Sequence, residues 1–165
     1  MENLIQILRG LLADTVAIKF KAHGYHWNVE SDDFPQFHEF FENIYNDYDS
    51  AIDPLAEWIR VLDNYAPFKL SRFVELSTLP ETEVTSDPVE MSRDLLVAND
   101  TLLMKYQDAF DVATQLRQQA IANFFAERMG AHQKWHWQLG AVAKDRSEEH
   151  TSELQSPCNL VCRLL

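Results

Sequence analysis

The stretch HEFFENIYNDYDSAIDPLAE, residues 38–57, carries metal-type ligands in two pairs. His38 and Glu42 are four residues apart, as are Asp53 and Glu57, so each pair shares a helix face. On a helical wheel at about 100° per residue with His38 at the origin, Glu42 falls at about 40°, Asp53 at about 60° and Glu57 at about 100°. All four lie on one stripe. Imidazole and carboxylate together suit iron, zinc or manganese. At ~1.5 Å rise per residue, however, the two ends lie roughly 28 Å apart, whereas a metal–ligand bond is about 2 Å. No single ion can use both ends of one straight helix.

The apolar face of the same helix (Phe37, Phe41, Ile44, Tyr48, Leu55) is centred about 140° away from the stripe, so the stripe points away from its own core. A solvated charged face is the ordinary account of such a pattern. Asp53-Pro54 also fits a cap and first-turn proline of a kinked or restarted helix. The upstream segment HGYHWNVESDDFPQFH adds a third ligand, because a polar corner of that length can fold His26 back beside His38 and Glu42. If two chains pair antiparallel along this helix about a two-fold axis, the His26/His38/Glu42 end of one meets the Asp53/Glu57 end of the other. The stripe is then half of two intersubunit metal sites.

Four long helical patterns must position these residues. The first covers residues 2–28, with Leu4, Ile5, Leu8, Leu11, Leu12, Val16 and Phe20 leading toward Trp27. The second, 34–62, buries Phe37, Phe41, Ile44, Tyr48, Ile52 and Leu55. A looser segment over 63–86 holds Pro67 and Pro80, and KLSRFVEL within it predicts a short helix. A third helix starts at SDPVE, where Ser86 or Asp87 caps and Pro88 suits the first turn, and runs to about Thr114. The fourth runs from about Leu116 to Lys144. The fold class is all-α: a four-helix bundle with a long crossover between its second and third long helices, carrying a short extra helix.

The 165 residues suit one domain, and 46% hydrophobic content with 10 Phe, 5 Tyr and 4 Trp supplies a sizeable core. Only 4 Gly and 6 Pro interrupt the periodic segments. No apolar run reaches the ~18 residues of a membrane span, and no charged-apolar-small leader opens the chain; both predict a cytoplasmic location. The end of the chain, RSEEHTSELQSPCNLVCRLL, breaks with the rest in composition. It resembles the in-frame translation of a common short-read sequencing adapter, with Pro-Cys where a sample index would sit. We therefore expect the domain to be 1–145 and the segment 146–165 to be a non-native, disordered tail. Both cysteines, Cys158 and Cys162, fall in that tail, so their spacing is no zinc or redox signal. Setting it aside removes two of the 14 basic and three of the 26 acidic residues, which leaves a formal charge of −11. Such a surface attracts cations and repels nucleic acid phosphates.

With these residues in view, KAHGYHWNV, FHEFFE and the later Asp and Glu resemble the ferroxidase signature of the Dps family, the mini-ferritins. The similarity extends over most of 1–145, including helix order, mid-chain crossover and QKWHWQL in the last helix. It implies a hollow dodecamer built from two-fold dimers that oxidises Fe(II) with hydrogen peroxide or O2 and stores ferric mineral, protecting against oxidative damage. It also implies that His26, His38, Glu42, Asp53 and Glu57 are the catalytic metal ligands, the first three from one subunit and the last two mainly from its partner. The metal is then iron, at a mono- or di-iron centre, with zinc or manganese as possible substitutes. Several positions depart from the family pattern. Glu42 stands where Asp is common, Ser31 where a corner glycine is usual, Trp58 where arginine stands, and Asp63-Asn64 where two glycines stand. Members that bind DNA carry a Lys-rich terminal tail, whereas here the basic residues are scattered along the chain, so DNA binding is not expected.

Other features have more ordinary readings. His23 is either an outer ligand or a surface histidine of the first helix, and the latter is favoured. His132 and His136, four apart, read as surface or interface packing. Residues 1–145 contain no Glu-x-x-His, which argues against a di-iron site inside the bundle. Trp27 and Tyr45 either donate electrons to an oxidised metal centre or seal a dimer interface. Two further functions remain open beside the ferroxidase: a DNA-binding structural protein with incidental metal binding, and a non-catalytic metal-buffering cage.

Overall fold

The computed structural model describes residues 1–144, all in helices and connecting segments. The tail 146–165 lies outside the described residues. The elements are α1 (Glu2–Asn28), α2 (Phe34–Val61), α3 (Leu70–Leu76), α4 (Pro88–Gln115) and α5 (Gln119–Ala143). α1 packs along α2, α4 along α5, and α1 against α4, which closes a four-helix bundle; α3 rides on α1. Among the described residues no helix is long and apolar enough to cross a membrane.

Each long helix forms because one face recurs at alternating steps of three and four. In α1 that face is Leu4, Leu8, Leu11, Thr15, Ile18, Ala22 and Tyr25, all buried. The expected continuation through Phe20 to Trp27 is not the core: Phe20 is 64% and Trp27 57% exposed. The small and polar members Thr15 and Ala22 hid the true stripe, while the large residues Phe20 and Trp27 imitated one. Thr15 is tolerated in the core because its hydroxyl donates to Leu11 O at 2.7 Å. In α2 the buried set is Phe41, Ile44, Tyr48, Ala51, Leu55 and Ile59; Phe37 and Ile52 are only partly covered.

α2 passes through Pro54 as one helix. It ends at Leu62, followed by Asp63 in the left-handed region at φ 56°. Glycine suits that backbone, and aspartate is one of the few other residues that tolerates it. At the start of α4, Asp87 caps by accepting from Val89 N at 2.8 Å, with Pro88 in the first turn, as the sequence predicts.

The crossover from 62 to 87 is held at several points. Asp14, fully buried on α1, accepts from Thr78 N at 2.7 Å and Ser77 Oγ at 3.0 Å, and pairs with Lys105 of α4. Near the other end Tyr25 Oη donates to Asp94 Oδ2 at 2.6 Å, and Lys21 pairs with the same oxygen at 2.6 Å. Glu30 N donates to Ser86 O at 2.9 Å, closing the crossover onto the α1–α2 corner that carries the candidate ligands.

Candidate metal centre

The corner between α1 and α2 brings His26 against His38. Their rings stack with centroids 3.6 Å apart and planes at 22°. Each Nδ1 bonds the other residue's backbone carbonyl: His26 Nδ1 to His38 O at 2.9 Å, and His38 Nδ1 to His26 O at 2.8 Å. A carbonyl oxygen can only accept, so each Nδ1 carries the proton. In the neutral ring this tautomer leaves Nε2 with the lone pair, the form in which imidazole binds a metal. The brace also fixes ring orientation, as carbonyl partners do for metal-bound histidines. Phe34 also stacks on His38, at 5.0 Å.

Glu42 lies one turn beyond His38 and is partly buried. Tyr45 Oη donates to its Oε1 at 3.4 Å, a long bond that leaves most of the carboxylate's capacity open. Burial and the nearby Glu42 carboxylate push the Tyr45 hydroxyl above its ordinary pKa. His23 is not a plain surface histidine. It stacks on Tyr45 at 4.2 Å and meets Trp27 at 4.4 Å with the planes tilted at 46°, and its ring is 6.0 Å from that of His26. Burial, then the charge of Lys19 and the neighbouring His26, lower its pKa. The Tyr45–His23–Trp27 ring cluster flanks the imidazole pair on the α1–α2 face.

Asp53 and Glu57 are exposed at the far end of the unbroken α2, with no hydrogen bond or ion pair among the described residues. Glu57 lines a groove of about 480 Å³ between α2 and α5, together with Trp58, Phe124 and Glu127. The protomer thus brings together His26 and His38, sets Glu42 next along the helix, and leaves Asp53 and Glu57 apart. Among the described residues no group of three or more His, Cys, Asp or Glu side chains gathers into a metal site. The ligand set fits iron in chemistry, two imidazole lone pairs and carboxylate oxygens, with the remaining carboxylates at the opposite end of the same face.

The bundle interior corrects the reading of the last helix. His132 is 1% exposed, so it is a core residue, not a surface one. Asn99 Nδ2 donates to His132 O at 3.0 Å, and Asn99 Oδ1 accepts from Tyr48 Oη at 3.1 Å and from His132 Nδ1 at 2.8 Å. Burial, then the Arg128 charge, push the His132 pKa down to about 3, so it is neutral. Arg128 forms a two-pronged pair with Asp47 at 3.1 and 2.9 Å, and Trp135 Nε1 donates to the same carboxylate at 2.8 Å. Burial opposes ionisation of Asp47, but the hydrogen bonds and charge of Arg128 outweigh it and hold the carboxyl below its usual range. His136 is exposed, as expected of a surface histidine, and bonds Asp100 at 2.7 Å. The signal for this polar core was present: Arg128, His132 and Trp135 continue the steps of Phe125 and Leu139.

Known proteins agree with this architecture. The ferritin-like domain family matches residues 5–147. A DNA protection during starvation protein of Helicobacter pylori is 27% identical over 137 residues, covering 82% of this chain and 95% of the relative. The crystal structure of a Dps protein from Vibrio cholerae O1, described as a member of a broad superfamily of ferritin-like diiron-carboxylate proteins, superposes with a TM-score of 0.84. It is 26% identical and covers 87% of this chain and 90% of that one. A Dps protein from Bacillus brevis superposes with a TM-score of 0.83 at 25% identity, covering 87% of this chain and 96% of that one. Matched in helix order, crossover and nearly the whole described length, the chain belongs to the ferritin-like domain family, in its Dps mini-ferritin branch.

Proposed function

We propose that the protein is a ferroxidase and iron-storage mini-ferritin whose reaction sites form between two subunits. The observation that carries this reading is the interlocked His26–His38 pair, whose Nδ1 atoms are both taken by backbone carbonyls so that Nε2 is the nitrogen left for a metal on the α1–α2 face. Glu42 completes the histidine end, and Asp53 and Glu57 of a two-fold partner complete the site. Fe(II) is the substrate. Each hydrogen peroxide takes one electron from each of two Fe(II) ions; its O–O bond breaks and the oxygens leave as water or hydroxide. Fe(III) then hydrolyses to mineral and releases protons. O2 is the alternative oxidant, and a dodecamer of the family kind supplies the storage cavity. Relatives named for DNA protection fit this role, since consuming peroxide and Fe(II) together suppresses radical damage. A redox-inert ion such as Zn(II) on the same ligands blocks the site.

An anaerobic Fe(II) titration followed by peroxide addition tests the reading. We expect saturable Fe(II) binding and rapid formation of ferric absorbance. Both are expected to be lost in Glu57→Ala and blocked by prior Zn(II). Oxidation no faster than in protein-free buffer, after Fe(II) has bound, would leave a metal-buffering cage as the function. The DNA-binding alternative is disfavoured by a formal charge of −12. It requires a duplex affinity that falls steeply with salt.

A further inference from the structure

At the end of the bundle where α2 gives way to the crossover, the structure brings Arg9 of α1 beside two cations of the crossover. Arg9, Lys69 and Arg72 line one cavity of about 500 Å³, with Tyr65, Phe68 and Glu75 among its walls. Arg9 is held in place by neutral partners, donating to Asn64 Oδ1 at 2.6 Å and to Tyr65 O at 3.0 Å, so its charge is not cancelled. Lys69 has no ion-pair partner among the described residues. Arg72 pairs with Glu75 at 2.7 Å, the one acid on the cavity wall. Three cations against one carboxylate make this wall positive in a chain of net charge −12. Arg60 adds a fourth cation beside it, 4.5 Å over the Tyr65 ring and bonded to Asn64 O.

The apolar part of the wall is equally unusual. Tyr65 is 79% and Phe68 85% exposed. Guanidinium and ammonium groups recognise phosphate oxygens, and exposed aromatic rings take the flat face of a nucleobase. The recess is open to solvent, so a small ligand reaches the cations and the rings directly.

We propose that this cavity binds a nucleoside phosphate, with Lys69 and Arg72 on the phosphate and Phe68 against the base. Arg9 supports the floor. The site is independent of the metal centre and of the chemistry proposed there.

Titration of the assembled protein with AMP, adenosine and inorganic phosphate, followed by calorimetry, tests the site. AMP is expected to bind saturably, more weakly as salt rises, and more tightly than either fragment. The variant Lys69→Ala/Arg72→Ala changes only exposed side chains and is expected to weaken AMP by about tenfold or more, the loss of charge-assisted hydrogen bonds. Phe68→Ala is expected to weaken AMP while leaving inorganic phosphate unchanged. Lys134→Ala, an exposed cation on α5, serves as the control for general charge and is expected to change nothing. The proposal is overturned by absence of saturable binding at millimolar AMP, or by inorganic phosphate binding as tightly as AMP. It is equally overturned if Lys134→Ala weakens AMP as much as the double variant does.

Discussion

Co-assembly of two differently disabled chains gives the most direct prediction about the metal centre. Take His38→Ala and Glu57→Ala, each of which alone damages every site. α2 is a single helix from Phe34 to Val61, so the two positions are held roughly 28 Å apart within a chain and cannot serve the same ion there. In a mixed two-fold dimer, one site collects both substitutions and the other collects neither. Random pairing of equal amounts makes half of all dimers mixed, so about a quarter of all sites are intact. Coexpressed chains are therefore expected to recover about a quarter of the wild-type initial rate of Fe(II) oxidation, measured by ferric absorbance, from parents near the uncatalysed rate. Placing both substitutions in one chain removes the recovery. Mixed assemblies of normal size that remain as inactive as either parent would falsify the intersubunit arrangement.

The other predictions concern the protomer. His132 is held neutral with its pKa down at about 3, below the ordinary 6.5 of an unfolded histidine, so the unfolded chain binds the extra proton between these values. Its contribution to stability is complete above pH 6.5 and is lost as pH falls toward 3, with a slope of at most about 1.4 kcal/mol per pH unit. Urea denaturation at pH 7 and pH 5 should show this loss, and His132→Leu should flatten the slope; an unchanged slope in the variant refutes the assignment. Asp14→Ala is expected to cost about 1–3 kcal/mol, because it leaves the Thr78 amide without its acceptor and Lys105 without its partner. Hydrogen exchange should then quicken over 77–79, and a loss under 1 kcal/mol contradicts the anchoring role. Truncation after Asp145 should leave assembly size and iron oxidation unchanged, as read by size exclusion and ferric absorbance; a marked loss of assembly contradicts the reading of 146–165 as non-native.

How far the candidate site was legible depends on what spacing can express. The positions of His38, Glu42, Asp53 and Glu57 on one stripe follow from helical period alone, and the exclusion of a single-ion site follows from helix rise. The approach of His26 to His38 was foreseeable from the length of the corner. The interlocked Nδ1–carbonyl bonds were not, because they depend on the angle at which the two helices meet. In the bundle interior, large aromatic residues misled: Phe20 and Trp27 extended the apparent core of α1 onto an exposed face. The true stripe ran through Thr15 and Ala22. His132 read as surface or interface packing, although its register with Phe125 and Leu139 put it inside.

By itself the sequence determined the four long helices, the capped start of α4 at Asp87-Pro88, the short helix in the crossover, and the stripe on α2. These are local properties, set by periodicity and capping chemistry within a few residues. Tertiary structure alone decided which nitrogen of each histidine is left for a metal, since the tautomer is chosen by a carbonyl twelve residues away. It alone joined Arg128, His132 and Asn99 into a hydrogen-bonded polar core, because the partners arrive from three different helices. It also brought Arg9 beside Lys69 and Arg72, about 60 residues away, in one positive recess: chain direction reverses after α2, and the crossover returns past the start of α1.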